Sequence, residues 1–405
     1  MKKRVLCMVA AIMSLIMLCG CAETPVETAE EPTVAEQTEP GTHAAAEPEF
    51  DGEVVIALVT PVTGNNKMVG EYQQDGFNLA VNEINAAGGI LGKKVVGYIA
   101  DEIDTTQDAV NAYAKVFANP DVMAIVGSSY SLNCISILPQ LSEAKILHLS
   151  NGSAQALRDE QNPYNWMVRP IDKFTTDIIV KCMQNLGVNN PAVLYTSDSG
   201  RLIFIDALKE SFEKAGIKVN ESNFYAVPTD EQNFANYISQ IQNSDVDCLI
   251  ANNNQMPAAL VAQQVDIAGL DIPLIGNTSY CSSVFIENAG DCANGWYAAA
   301  EWSTEPISET AKKFEDAFRA AYGMQSDLAA VSAYDDVYLI KYCMESAGTT
   351  TDREAINNAM KTVKDYPGAL STYTYFENDS CLSTSALLTR NENGTPVVQE
   401  SVSFR

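Results

Sequence analysis

Residues 122–153 read VMAIVGSSYSLNCISILPQLSEAKILHLSNGS, and this stretch decides the fold. An apolar strand over 122–127 runs into a Gly- and Ser-rich loop. A helix then begins near Ser131, a second apolar strand spans 146–149, and a small polar loop closes the unit at 150–153. In an open parallel sheet the loops after the strands share one edge, so Ser129, Tyr130 and Ser131 converge with Ser150, Asn151 and Ser153 on one crevice. The two loops offer hydroxyls, approachable backbone N–H groups and a helix N-terminus, which are the groups that hold a small charged guest.

Outward from this unit the same rhythm repeats. Strands are expected over 53–60 and 94–100, with helices over 66–87 and 105–119. Phe77, Val81 and Ile84 fall at helical spacing, and Gly88 and Gly89 end their helix. A second series has strands over 192–196, 224–227, 248–251 and 273–276, with helices over 172–185, 202–215, 233–243 and 256–268. The segment GWYAAAEW at 295–302 interrupts that rhythm. Helices over 308–322, 328–346 and 352–363 follow, then an extended stretch over 370–376 and a hairpin over 385–404. Short joints between alternating strands and helices imply parallel pairing with right-handed crossovers, and two such series imply two α/β lobes.

The chain of 405 residues carries 52 acidic and 25 basic side chains, a formal charge of −27. That charge repels nucleic acid and anionic lipid surfaces, which leaves small molecules and other proteins as partners. Residues 1–21 have a basic start, an apolar run and the ending LCGC, the layout of a secretory signal peptide. The ending resembles a bacterial lipobox, which implies lipidation of Cys21 and a lipid-anchored protein outside the cytoplasm. Residues 22–52 are rich in Glu, Pro, Thr and Ala and read as a solvated acidic tether. Seven cysteines lie beyond it without a regular framework, and only Cys281 and Cys292 are near enough in sequence for a local bridge.

Catalysis is poorly supplied. His148 is the one histidine beyond the tether, inside an apolar strand where a satisfied core imidazole is expected, and no HExxH, GxSxG, Walker A or paired-cysteine metal motif occurs. Gly88, Gly89 and Gly92 follow a helix and precede a strand, the wrong context for a pyrophosphate site. The reading is a binding protein with neither cofactor nor metal, not an enzyme.

At 71–95 the chain reads EYQQDGFNLAVNEINAAGGILGKKV. It resembles the type I periplasmic binding proteins, and among them the branched-chain amino-acid-binding proteins of ABC importers, whose early helix ends in a segment like INAAGGILGK at 84–93. The likeness continues through VGSSYS, SNGSA, WMVRP and YTYFENDS. It implies an α/β fold of two doubly wound Rossmann-like lobes joined by three crossover segments, near 169–172, 301–304 and 361–371. Lobe one is then 53–170 with 302–363, and lobe two is 171–301 with 364–405. It further implies a monomer that closes on a small solute and delivers it to an ABC permease. A sensor that presents the solute to a signalling receptor stays open beside it.

The resemblance also implies roles at the crevice. Ser131 holds the ligand carboxylate, and Ser150, Asn151 and Ser153 supply hydroxyl and backbone contacts to carboxylate and amino groups. On lobe two the pattern departs from relatives: Asp198 stands in the loop where they have a Tyr, Asn254 in a run of asparagines where they have an aromatic, and Thr278 and Tyr280 where amino-acid binders have an acid for the ammonium. Either Asp198 replaces that acid, or the guest is an amide-like or carboxylate-bearing solute that is no standard amino acid.

Overall fold

The computed structural model describes residues 48–404. Its first sheet has five strands: β1 (Glu53–Thr60), β2 (Lys94–Asp101), β3 (Val122–Gly127), β4 (Leu147–Ser150) and β5 (Asn165–Met167), in the order β2-β1-β3-β4-β5 and parallel throughout. Between them run α1 (Lys67–Ala86), α2 (Thr106–Ala118), α3 (Ser131–Ala144) and the short α4 (Gln155–Asp159). β1 is buried along most of its length, as its EVVIALVT sequence requires of a strand covered on both faces. Thr105 caps α2: its hydroxyl accepts from the Asp108 N–H, and the Asp108 carboxylate accepts from the Thr105 N–H.

The second series contains α5 (Asp172–Leu186), β6 (Pro191–Thr196), α6 (Ser199–Lys214), β7 (Phe224–Val227), α7 (Ala235–Gln242), β8 (Cys248–Asn252), α8 (Gln255–Ala268), β9 (Leu274–Gly276), α9 (Ser283–Ala289) and β10 (Tyr297–Ala300). Two long helices follow, α10 (Glu309–Tyr322) and α11 (Leu328–Ala347), then α12 (Arg353–Ala359) and the two-residue strands β11 (Tyr366–Pro367) and β12 (Thr372–Tyr373). The hairpin β13 (Ser385–Glu392) and β14 (Thr395–Ser403) completes a seven-stranded sheet ordered β14-β13-β10-β9-β8-β6-β7. Its parallel part winds as the first sheet does: β6 lies between β7 and β8, just as β1 lies between β2 and β3. Each sheet therefore has a switch point where successive crossovers leave in opposite directions, and the loops there open a crevice.

Three differences from the sequence reading have physical causes. The segment at 295–302 continues the rhythm instead of interrupting it: β10 pairs parallel with β9 and antiparallel with β13. Its Ala-rich run has weak strand propensity, and pairing on both edges holds it extended. The stretch 364–382 packs with the first sheet, since Ala369, Tyr373 and Leu382 share a core with Ile56, Phe77 and Val337. The last return to the second sheet thus falls after Leu382, not within 361–371. Cys281 and Cys292 form no disulfide. The Cys281 thiol instead donates to the Thr278 carbonyl at 3.1 Å. His148 is a satisfied core imidazole, between the Tyr113 hydroxyl at 2.9 Å and Asn165 Oδ1 at 2.8 Å.

Two distant pieces of chain build the core over the first sheet. α11 packs along α1 so closely that a Cβ placed on Gly76 would stand 1.9 Å from the Ala330 carbonyl oxygen. Gly76→Ala is expected to destabilise the protein by about 1–3 kcal/mol in urea unfolding despite alanine's better helix propensity, because the helices must separate to admit one methyl group. Unchanged stability would show that α1 and α11 do not pack at this distance.

Candidate solute-binding cleft

The loops after the strands of both sheets line one cleft of about 830 Å³, within the range of roughly 300–1,000 Å³ of small-molecule sites. Ser129, Tyr130, Ser131, Asn151 and Ser153 line it from the first sheet, and Asp198, Asn254 and Thr278 from the second. Ser150 and Tyr280 do not. Ser150 is fully buried and donates its hydroxyl to the Trp166 carbonyl at 3.1 Å. Tyr280 is equally buried, stacked on Trp296 with ring centroids 4.5 Å apart, and donates its hydroxyl to Asn253 Oδ1 at 2.9 Å. Strand alternation explains Ser150, and the short helical turn after Asn277 explains Tyr280, whose ring is directed into the core.

Ser131 is the hinge pin of the first-sheet loops. It opens α3, and its Oγ accepts from the backbone N–H groups of Ser153 and Ala154, both at 3.1 Å. With its lone pairs so engaged, the hydroxyl has only its hydrogen left to offer a partner. Beneath this loop lies Glu102, 1 % exposed, which accepts from Ser128 Oγ at 2.8 Å and Asn133 Nδ2 at 3.0 Å. Burial pushes its carboxyl up to about 7, against the pull of those two donors.

Apart from Asp198, the sequence reading passed over the charged residues of the cleft. Arg169 donates through Nε and Nη2 to the two oxygens of Glu301, at 2.7 and 2.6 Å, and through Nη1 to the Asn151 carbonyl at 2.9 Å. Burial alone would lower its affinity for a proton, but the Glu301 charge and hydrogen bonds leave it raised. Asp172, at the start of α5, is held up to about 6 by burial, opposed by a hydrogen bond from Ser153 and by the charge of Arg169. Asp327 caps α11 by accepting from the Ala329 N–H at 3.2 Å, and burial raises it too. Asp198 caps α6, with one oxygen accepting from the Arg201 N–H at 3.0 Å. Arg169 and Arg201 could have been noticed as scarce cations just after strands in a strongly acidic chain. Asp172 gave no signal beyond its position. Among the described residues no group of three or more His, Cys, Asp and Glu could hold a metal ion.

A two-lobed α/β cleft lined by hydroxyls at a helix N-terminus is the architecture of a solute trap. The chain belongs to the periplasmic binding protein family, whose pattern matches residues 53–395. A Leu/Ile/Val-binding protein of Rhizobium johnstonii is 26% identical over 355 residues, covering 86% of this chain and 94% of that one. Among solved structures, a branched-chain amino acid transporter substrate binding protein of Streptococcus pneumoniae in complex with isoleucine has a TM-score of 0.76 at 23% identity, covering 87% of this chain and 99% of the other. An ABC transporter solute binding protein of R. palustris in complex with benzoate has a TM-score of 0.77 at 17% identity, covering 87% and 97%. At such identities the structural likeness is one of fold. These relatives are solute-binding proteins, not enzymes. No helix among the described residues is long and apolar enough to cross a membrane.

The buried carboxyls set a pH dependence. Glu102 near 7, with Asp172 and the buried α11 residue Asp335 near 6, each bind a proton in the folded state that the unfolded chain, titrating near the ordinary value of about 4, has already released. Stability from these groups is fully present below about pH 4 and is lost as pH rises through 6 to 7, by up to ~1.4 kcal/mol per pH unit for each group. The melting temperature of the solute-free protein is expected to be higher at about pH 5.5 than at about pH 8. Glu102→Gln, which keeps the side-chain shape without the charge, should raise the value at the higher pH and flatten the slope. Parallel slopes in both proteins would remove Glu102 as a cause.

Proposed function

We propose that this chain is an extracytoplasmic solute-binding lipoprotein that captures an amino acid, or a related amide or carboxylate, in the cleft and delivers it to an ABC importer. The observation that carries the reading is the Ser131 hydroxyl, whose oxygen is occupied by two backbone N–H groups and whose proton therefore points a hydrogen bond at a guest carboxylate. The relatives support it: one is a Leu/Ile/Val-binding protein, and two solved neighbours hold isoleucine and benzoate, each of which bears a carboxylate.

Two units divide the work. Lobe one comprises 53–170 with 302–382 and holds the carboxylate pole. Lobe two comprises 171–301 with 383–404 and chooses among guests. Closure about the three crossovers would wrap the solute from both sides. A guest amino group would meet Asp172 beside Ser153 in place of the acid missing from lobe two, with Asp198 already engaged as a helix cap. The protein acts as a monomer held to the membrane through a lipid on Cys21, which lies with the signal segment and residues 22–47 of the tether outside the described residues.

Ser131→Ala removes a donor to a charged ligand group and frees two backbone N–H groups. Affinity for every carboxylate-bearing ligand should fall by about one to two powers of ten in calorimetric titration. An unchanged affinity would move the carboxylate pole elsewhere. Cys21→Ala should release the protein from the membrane fraction or leave an unprocessed precursor, and normal processing with full membrane retention would end the lipoprotein assignment.

A further inference from the structure

The second-sheet side of the cleft holds a cation that the fold only partly answers. Arg201 stands in the first turn of α6, where a positive charge opposes the helix dipole. Its Nη1 donates to Asn252 Oδ1 at 3.2 Å, and its Nη2 donates to Asn254 Oδ1. A guanidinium has five N–H donors. The other three have no acceptor among the described residues, and no carboxylate lies within ion-pair distance. Asp198 spends an oxygen on the Arg201 backbone N–H, not on the side chain. Arg169, in the same cleft, is the contrast: a bidentate carboxylate and a carbonyl take three of its five donors, one on each nitrogen, and supply its counter-charge. Burial lowers Arg201 from the ordinary guanidinium value, only partly offset by the charges of Asp198 and Asp172, as expected of a cation short of a counter-charge.

The asparagines around Arg201 form its mount. Asn252 Oδ1 accepts from Asn277 Nδ2 at 2.8 Å as well as from Arg201, which sets the orientation of both amides. Asn254 likewise spends its oxygen on Arg201. Asn254, read from the sequence as a ligand contact, thus instead holds the guanidinium in place together with Asn252, with its remaining donors free. Asp172, at the start of α5 beside α6, is hydrogen-bonded to Ser153 of the facing loop and within electrostatic influence of Arg201, so the Ser131 and Ser153 pole and the guanidinium face a common space.

We propose that Arg201 is a second anion subsite, and that the solute is a dicarboxylate, with or without an amino group, whose one carboxylate is held at Ser131 and Ser153 and whose other is received by Arg201. A planar carboxylate matches the free edge of the guanidinium in geometry and restores the missing charge, whereas a neutral amide supplies one acceptor and no charge. On a second-sheet side that also carries apolar side chains such as Met256 and Val284, Arg201 adds a cation that a branched aliphatic guest would leave unanswered. The inference rests on the carboxylate-binding reading of Ser131 above and narrows it to one class of guest.

The test is calorimetric titration of the full chain with glutarate and L-glutamate against butyrate, L-glutamine and L-leucine, repeated with Arg201→Gln and Arg201→Lys. At least one diacid should bind the native protein roughly tenfold to a hundredfold more tightly than its matched monoacid or amide. That ratio should collapse toward one in Arg201→Gln and be partly kept in Arg201→Lys, which retains the charge and loses the fork. Monoacids that bind while no diacid binds more tightly overturn the Arg201 subsite and leave the carboxylate pole standing. An equal loss for diacid and monoacid in Arg201→Gln also overturns it. No saturable binding by any of the five overturns both. The native-protein comparison decides the matter even if a variant fails to melt cooperatively.

Discussion

The ion pair between Arg169 and Glu301 is the constraint from which the rest of the cleft follows. Arg169 stands in the segment by which the chain leaves β5 for α5, and Glu301 in the segment by which it leaves β10 for α10. Two parallel hydrogen bonds, of 2.7 and 2.6 Å, therefore fasten two crossovers to each other. The third donor reaches the Asn151 carbonyl and ties the loop after β4 to the same point. Glu301 is 4 % exposed, so both charges are largely withdrawn from water. A pair buried this way adds little net stability against an apolar replacement, but loss of one partner costs several kcal/mol because the other charge is stranded. What the pair provides is position, since it sets the two sheets' loops against one another where a guest is to sit.

Around that point the cleft divides its charges unevenly. Around the first-sheet loops, acids are held up by burial: Glu102 braces the Ser129–Ser131 loop through Ser128 and Asn133, and Asp172, at the start of α5, meets Ser153 from the other lobe. On the second-sheet side a mounted guanidinium waits for an anion. A strongly acidic protein thus presents a positive group inside its cleft, and the contrast with its outer surface favours anionic guests that carry a partner for each pole. Closure would bring the poles nearer and remove water, which strengthens every one of these interactions.

Much of this was legible in the chain. β1 and β3 read as buried apolar runs, the Gly and Ser loop before Ser131 marks the start of α3, and the INAAGGILGK segment pointed to the family. β5, β10 and the placement of 364–382 were not legible, because short or Ala-rich strands are held by neighbours that lie far away in sequence. The roles of Ser150 and Tyr280 were misread for a related reason: a polar residue in a crevice loop can face either the crevice or the core, and one step along the backbone decides which.

By itself the sequence determined the class of fold, the sheet edge along which the cleft opens and the start of α3 at Ser131, since periodicity, turn residues and helix starts are local properties of the chain. Only the tertiary structure decided the electrostatics of the cleft. Arg169 meets Glu301 across 132 residues, and Arg201 meets Asn254 across 53. Whether a charge is answered depends on which distant segments the fold brings within about 3 Å, and no local pattern encodes that distance.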